Sequence, residues 1–140
     1  MSDLTLFSAD DANRIGEGHL PGLIGLEFKE IEHGRVVAEL AVEKRHKTPH
    51  DFLHAATVTA LADTAAGYGT LASLPKGAMS FTTIDLQCNF VGTAREGTIR
   101  TEAILRHGGR STQVWDAEVT NDAGKIIAMF RCTQMILWPE

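Results

Sequence analysis

The segment from Leu53 to Leu74 carries a single carboxylate, Asp63, and neither Lys nor Arg. From Ala55 to about Ala72, apolar residues fall on most faces of a helix, so that helix needs cover on many sides. The segment is long enough to span a bilayer. It is nevertheless built of Ala, Thr and Gly, with few Leu, Ile or Phe side chains to favour insertion. A central Asp would also cost about 2.5–3.5 kcal/mol on insertion scales. The expectation is a long helix enclosed by protein, with no membrane association.

The flanking sequence suggests what encloses it. Ser8 followed by Asp11 resembles a capping box and predicts a short helix from about Ala9 to Gly16. Gly16, Gly18, Pro21, Gly22 and Gly25 then break the chain. Leu26–Ile31 reads as a strand, His33-Gly34 as a turn, and Arg35–Val42 as the hairpin partner. The polar stretch His46–Phe52, with Pro49, reads as a loop. After the helix, Leu74-Pro75-Lys76-Gly77 is a stop, and four strands are expected at Met79–Phe90, Thr98–Arg106, Ser111–Asn121 and Lys125–Leu137. In the second, Ile99, Thr101, Ala103 and Leu105 alternate with charged residues; in the third, Trp115, Ala117 and Val119 alternate with polar ones. A curved, predominantly antiparallel sheet of five to six strands wrapped around one buried helix, an α+β fold, satisfies this order. Strands and helices do not alternate, which disfavours a doubly wound fold.

At 140 residues the chain fits one domain, 1–140, without linker, repeat or low-complexity tract. The net charge of −5 argues against nucleic-acid binding, which draws on cationic neutralisation of phosphates. Cys88 and Cys132 lack a CxxC or Cys/His cluster and read as reduced, packed thiols of a cytoplasmic protein, with no metal site. The N-terminal Met-Ser-Asp-Leu-Thr-Leu-Phe has no basic or long apolar region of the secretory kind.

Asp63 is the most informative residue. A carboxylate inside an apolar helix needs hydrogen bonds, a raised pKa, or exposure to a cavity. Thr59, Thr64 or neighbouring backbone could satisfy it structurally; catalysis is the competing reading. Leu53-His54-Ala55-Ala56 places backbone N–H groups at the expected start of the same helix, where they lack intrahelical partners and carry the positive end of the dipole. Such donors polarise an acyl carbonyl or hold an oxyanion. Asp63 lies nine residues beyond His54, roughly 13 Å along an ideal helix. That is far for two groups serving one carbonyl, and it suggests that Asp63 of one subunit faces the helix start of another.

Thr48, then His54-Ala55-Ala56, then Leu61-Ala62-Asp63-Thr64-Ala65-Ala66-Gly67 resembles the hotdog-fold acyl-CoA thioesterases of the PaaI-like group. That pattern has Asn or Gln, His-Gly-Gly six residues later, and an acidic residue nine positions after the His. The resemblance runs from Gly22 to Trp138 and implies a hotdog fold and hydrolysis of a small aryl- or short/medium-chain acyl-CoA, without cofactor. It also implies a homodimer or a homotetramer made of paired dimers. It makes Asp63 the base or nucleophile, the Ala55 N–H the carbonyl donor, His54 the shaper of the helix start, and Thr83 a group near the attacking water. Arg110, Ser111 and Thr112, after His107-Gly108-Gly109, match a segment that contacts coenzyme A, and Arg95 is a further candidate for the nucleotide end. Three positions depart from the pattern. Ala55 and Ala56 replace glycines, and Thr48 replaces the Asn or Gln, a role that His50 could assume. The alternatives are a non-catalytic acyl-CoA-binding module and a hotdog acyl-thioester dehydratase. The dehydratase is disfavoured because Pro49 stands five residues before His54, where its Asp would be. A serine hydrolase would need a Gly-x-Ser-x-Gly elbow, which is absent.

Overall fold

The computed structural model describes residues 8–140. The amino-terminal heptapeptide, and with it the reading of a non-secretory start, lies outside the described residues. Helix α1 (Ala9–Ile15) is capped as expected: the Ser8 side chain accepts the Asp11 N–H, and Gly16 ends the helix. The glycine-rich stretch that follows is not merely a break. It contains a second helix, α2 (Leu20–Ile24), with Pro21 in its first turn and Gly25 closing it in the left-handed region at φ 81°. Proline suits the start of a helix and glycine its left-handed end, so the same residues that end α1 build α2.

Strands β1 (Glu27–Glu32) and β2 (Arg35–Ala41) form the expected hairpin about His33-Gly34. A single 3-10 turn, Lys44–His46, precedes the long helix α3 (Ala55–Ala72). The remaining strands are β3 (Ser80–Phe90), β4 (Thr98–Gly108), β5 (Thr112–Thr120) and β6 (Ile126–Leu137). They join one sheet in the order β1-β2-β4-β5-β6-β3, every neighbouring pair antiparallel. Helix α3 touches all six strands. This is the hotdog architecture, with six strands around one long helix.

The core between helix and sheet is built from Leu61, Ala62, Ala65 and Ala66 of α3 against Leu40, Ile99, Trp115 and Ile127. Small residues on α3 let the sheet come close. A Cβ at Gly69 would stand 2.6 Å from the Trp115 ring, and one at Gly67 would stand 3.2 Å from Phe81. The cover is incomplete on one side. Ala56 is exposed, and Thr59, Ala60, Asp63 and Thr64 are half-buried. Beside this stripe runs β3, an edge strand bonded only to β6, with Ile84 and Leu86 exposed. None of the described helices is long and apolar enough to cross a membrane.

Candidate active site

The site begins with the loop that leads into α3. His46 is buried; its Nδ1 accepts the Glu43 N–H at 2.9 Å and its Nε2–H donates to the Ile24 carbonyl at 2.6 Å. Its own carbonyl accepts both the His54 N–H and the Thr57 hydroxyl, each at 3.0 Å. One buried histidine therefore ties α2 to the first turn of α3. Sequence reasoning placed His46 in a polar loop because burial of a loop side chain leaves no periodic signal.

At the helix start, His54 is the N-cap and its Nδ1 accepts the Ala56 N–H at 2.9 Å. The Ala56 amide is thereby used within the chain. The Ala55 N–H has no acceptor among the described residues and remains the open donor at the positive end of an 18-residue helix. Ala55 lines a groove of about 610 Å³, mostly apolar, together with Thr48, Phe52, His54, Val58, Phe90, Gly92 and Thr93. The candidates Thr48, His54 and Ala55 thus share one cavity. Phe52 and Thr93 from loops and Phe90 from the end of β3, none of them singled out from sequence, join it.

Thr48 is engaged locally: its hydroxyl oxygen accepts the His50 N–H at 3.2 Å, and its N–H donates to the Phe52 carbonyl at 2.7 Å. His50 is exposed, with its ring 6.4 Å from that of Phe52. Arg95 flanks the same loop, where its carbonyl accepts the Lys47 ammonium at 3.2 Å. Lys47 pairs with Asp51 and holds that carboxyl below the usual carboxylate range, with a smaller contribution from the Arg95 charge. Two cations therefore stand at this rim.

Asp63 lies on α3 two turns beyond the groove and is half-buried. Its Oδ1 is buried without a hydrogen-bond partner, and burial raises the carboxyl above its usual range. The structural expectation that Thr59 satisfies it is not met. The Thr59 hydroxyl instead donates to the Ala55 carbonyl at 3.0 Å, and no bond links Thr64 to the carboxylate. Thr83, on β3, donates its hydroxyl to Gln134 Oε1 at 2.7 Å, next to a bulge that leaves Ile84 without a partner on β6. Bulges re-aim side chains, and this one lies on a strand that packs against α3.

Arg110, Ser111 and Thr112 are elsewhere. Arg110 and Ser111 lead into β5 and Thr112 opens it, at the end of the sheet where Gln113 Nε2 donates to the Ser73 carbonyl, just past the carboxy-terminal end of α3. That is roughly 27 Å of helix away from Ala55. The Arg110 guanidinium lies over the Trp138 ring, 4.2 Å from its centre, and the Trp138 indole N–H donates to the Arg110 carbonyl at 3.0 Å. Trp138 carries no local signal of this role, because it meets Arg110 only through the β5–β6 pairing.

The thioesterase superfamily model matches residues 50–128. A 1,4-dihydroxy-2-naphthoyl-CoA hydrolase of Listeria monocytogenes is 30% identical over 110 residues, 79% of this chain and 89% of that protein. The acyl-coenzyme A thioesterase PaaI of Escherichia coli is 30% identical over 109 residues, 77% of this chain and 75% of that protein. A thioesterase structure from Haemophilus influenzae superposes with a TM-score of 0.88 over 94% of this chain and 92% of that one, at 22% identity, a likeness of fold.

Proposed function

The chain belongs to the thioesterase superfamily, and on that footing we propose that it hydrolyses a small aryl- or short/medium-chain acyl-CoA to the free acid and coenzyme A. The observation that carries this reading is the unpaired Asp63 carboxyl on the helix whose first turn offers the free Ala55 N–H to an apolar groove. The acyl chain lies against Phe52, Val58 and Phe90, and its carbonyl accepts from Ala55. As the carbonyl carbon is attacked, charge grows on its oxygen, where the amide and the helix dipole stabilise it. Asp63 either takes a proton from the attacking water and passes it to the sulfur as the C–S bond breaks, or attacks directly. Direct attack expels the thiolate and forms an acyl–Asp63 anhydride. Water then hydrolyses the anhydride to the free acid, and the released proton goes to the thiolate.

Two subunits complete this site. The edge strand β3 and the half-covered stripe of Ala56, Ala60 and Asp63 support an edge-to-edge dimer with α3 helices side by side. A two-fold of that kind brings Asp63 of one copy toward Ala55 of the other. It also carries Arg110, Ser111 and Thr112 toward the partner's groove, where they and Arg95 hold the nucleotide end. Dimers of this kind can pair again into tetramers. His54 shapes the helix start, Thr48 lines the groove, and His50 and Ala56 contact the substrate from beside it.

A non-catalytic acyl-CoA-binding module is the second reading, favoured by one observation: Thr48 brings no amide, and its hydroxyl oxygen is occupied by the His50 N–H. A panel of acyl-CoA thioesters assayed by release of free thiol separates the two. Turnover of at least one thioester supports hydrolysis, whereas saturable binding of the panel without thiol release supports the binding module.

A further inference from the structure

Gln134 lies on the inner face of β6, fully buried, with its Oε1 accepting the Thr83 hydroxyl and its Nε2 without any hydrogen-bond partner. A buried amide with an unmade bond is costly and rarely tolerated without a use. The same layer holds the converse defect, since Asp63 Oδ1 is a buried acceptor without a donor. Phe81 of β3 stands against Gly67 and Phe90 against the first turns of α3, so β3 runs antiparallel to the helix and Thr83, which bonds Gln134, comes alongside the turn that holds Asp63. Cys132 precedes Gln134 by two residues on the same face of β6, and its thiol senses the Asp63 charge. On β3, Thr83 pairs with Gln134 and Leu86 with Cys132, so the Ile84 bulge falls between them.

We propose that Gln134 is a positioning residue for Asp63: its side-chain amide, held by Thr83, donates from the sheet to a water that in turn donates to the carboxylate. This rests on the reading that Asp63 carries the chemistry. The amide that Thr48 cannot provide from the loop would then come from β6. A donor to the ionised carboxylate favours the charged form and opposes the upward push of burial, keeping Asp63 competent as a base. Thr83 acts one bond further out, by fixing which end of the Gln134 amide faces the helix.

The other titratable groups around Asp63 leave its ionisation readable. On α3, burial raises Tyr68; on β3, burial raises the Cys88 thiol; on β6, burial pushes the Cys132 thiol up to about 12. The carboxylates of Asp85 on β3 and Asp116 on β5 also bear on Cys132, and Asp116 is held low by its bond to Arg131. An acidic limb in the rate profile that moves on Gln134→Met therefore reports on Asp63.

The test compares Gln134→Met, which keeps the length and removes the donor, with Thr83→Val and Asp63→Asn in the full chain. Expected for Gln134→Met are a KM near wild type, a fall in kcat of about tenfold or more, and an acidic limb of kcat moved to higher pH by about one unit. Thr83→Val should move both in the same direction by less. Gln134→Asn, which restores an amide, should recover part of the loss. A purely structural role would lower the melting temperature without moving the acidic limb. Folded Gln134→Met with wild-type kcat and limb, while Asp63→Asn is inactive, overturns the inference; should Gln134→Met not fold, an unmoved limb in Thr83→Val overturns it equally. Full activity in Asp63→Asn would instead overturn the underlying reading.

Discussion

His54 Nδ1 accepts the N–H of Ala56 at 2.9 Å, and the neighbouring Ala55 N–H is left as the open donor of α3. The imidazole thereby selects which backbone amide faces the groove. Replacement by Ala removes the cap, which typically costs about 1 kcal/mol of stability. It also releases a second amide to compete for the carbonyl. His54→Ala should melt a few degrees earlier and lose kcat, whereas His54→Asn, whose side-chain oxygen can accept the same N–H, should keep most of both. Thermal melts with steady-state kinetics on the same three proteins decide this; an unaffected His54→Ala would sink it.

Asp63→Asn should abolish thiol release, by at least about 10²–10⁴ in rate, while preserving the fold and acyl-CoA binding. Calorimetric titration of a slowly hydrolysed acyl-CoA analogue reads the binding half of that statement. Near-normal kcat in the folded variant would remove Asp63 from the mechanism.

The same residue predicts a pH dependence of stability. Burial raises the Asp63 carboxyl in the folded protein above its unfolded value. Its contribution is therefore fully present below the unfolded pKa, where the group is protonated in both states. That contribution is lost as pH rises through the folded pKa, because the ionised form is penalised inside. Asp63→Asn cannot ionise, so its melting temperature relative to wild type should improve as pH rises from about 4 toward neutrality. A difference that stays constant with pH would contradict the burial argument.

Light scattering should find a dimer or larger at assay concentrations. Leu86, exposed on the edge strand β3, tests the contact. Leu86→Asp should shift the protein toward monomer and reduce activity in parallel. An active wild-type monomer would defeat the two-subunit site.

Arg110 is stacked on Trp138, which orders the guanidinium while leaving its N–H edges open for phosphate. A contact so far from the reacting carbonyl contributes equally to ground and transition states. Arg110→Ala should raise KM for acyl-CoA with little change in kcat, and should not affect an acyl thioester that lacks the nucleotide. Equal losses on both substrates would show that Arg110 acts through folding or chemistry.

Gly69 sits where a Cβ would stand 2.6 Å from the Trp115 ring, and that indole is fixed by its N–H bond to Gln113 at 2.8 Å. Gly69→Ala would gain about 1 kcal/mol in helix propensity yet force a rigid ring to move, at a cost of about 1–3 kcal/mol. Denaturant unfolding should show a net loss; a stabilised variant would mean that the ring yields freely.

The course of the chain was legible from its residues because the signals for it are local. Ser8 and Asp11 cap α1, His33-Gly34 turns the first hairpin, and Pro75 and Gly77 lie in the turn after α3. Alternation in the last strands and the apolar faces of α3 announced a sheet around a helix, since burial imposes its period on sequence. The helix Leu20–Ile24 was hidden because five residues are too few to show a period, and its Pro and Gly also read as breakers. Other features were decided only by the tertiary structure: the pairing of β3 with β6, the burial of Gln134 and His46, the stacking of Arg110 on Trp138, and the isolation of Asp63 Oδ1. Each depends on residues far apart in sequence meeting across a sheet. Whether a polar atom finds a partner is set by that meeting and leaves no mark on the residues beside it.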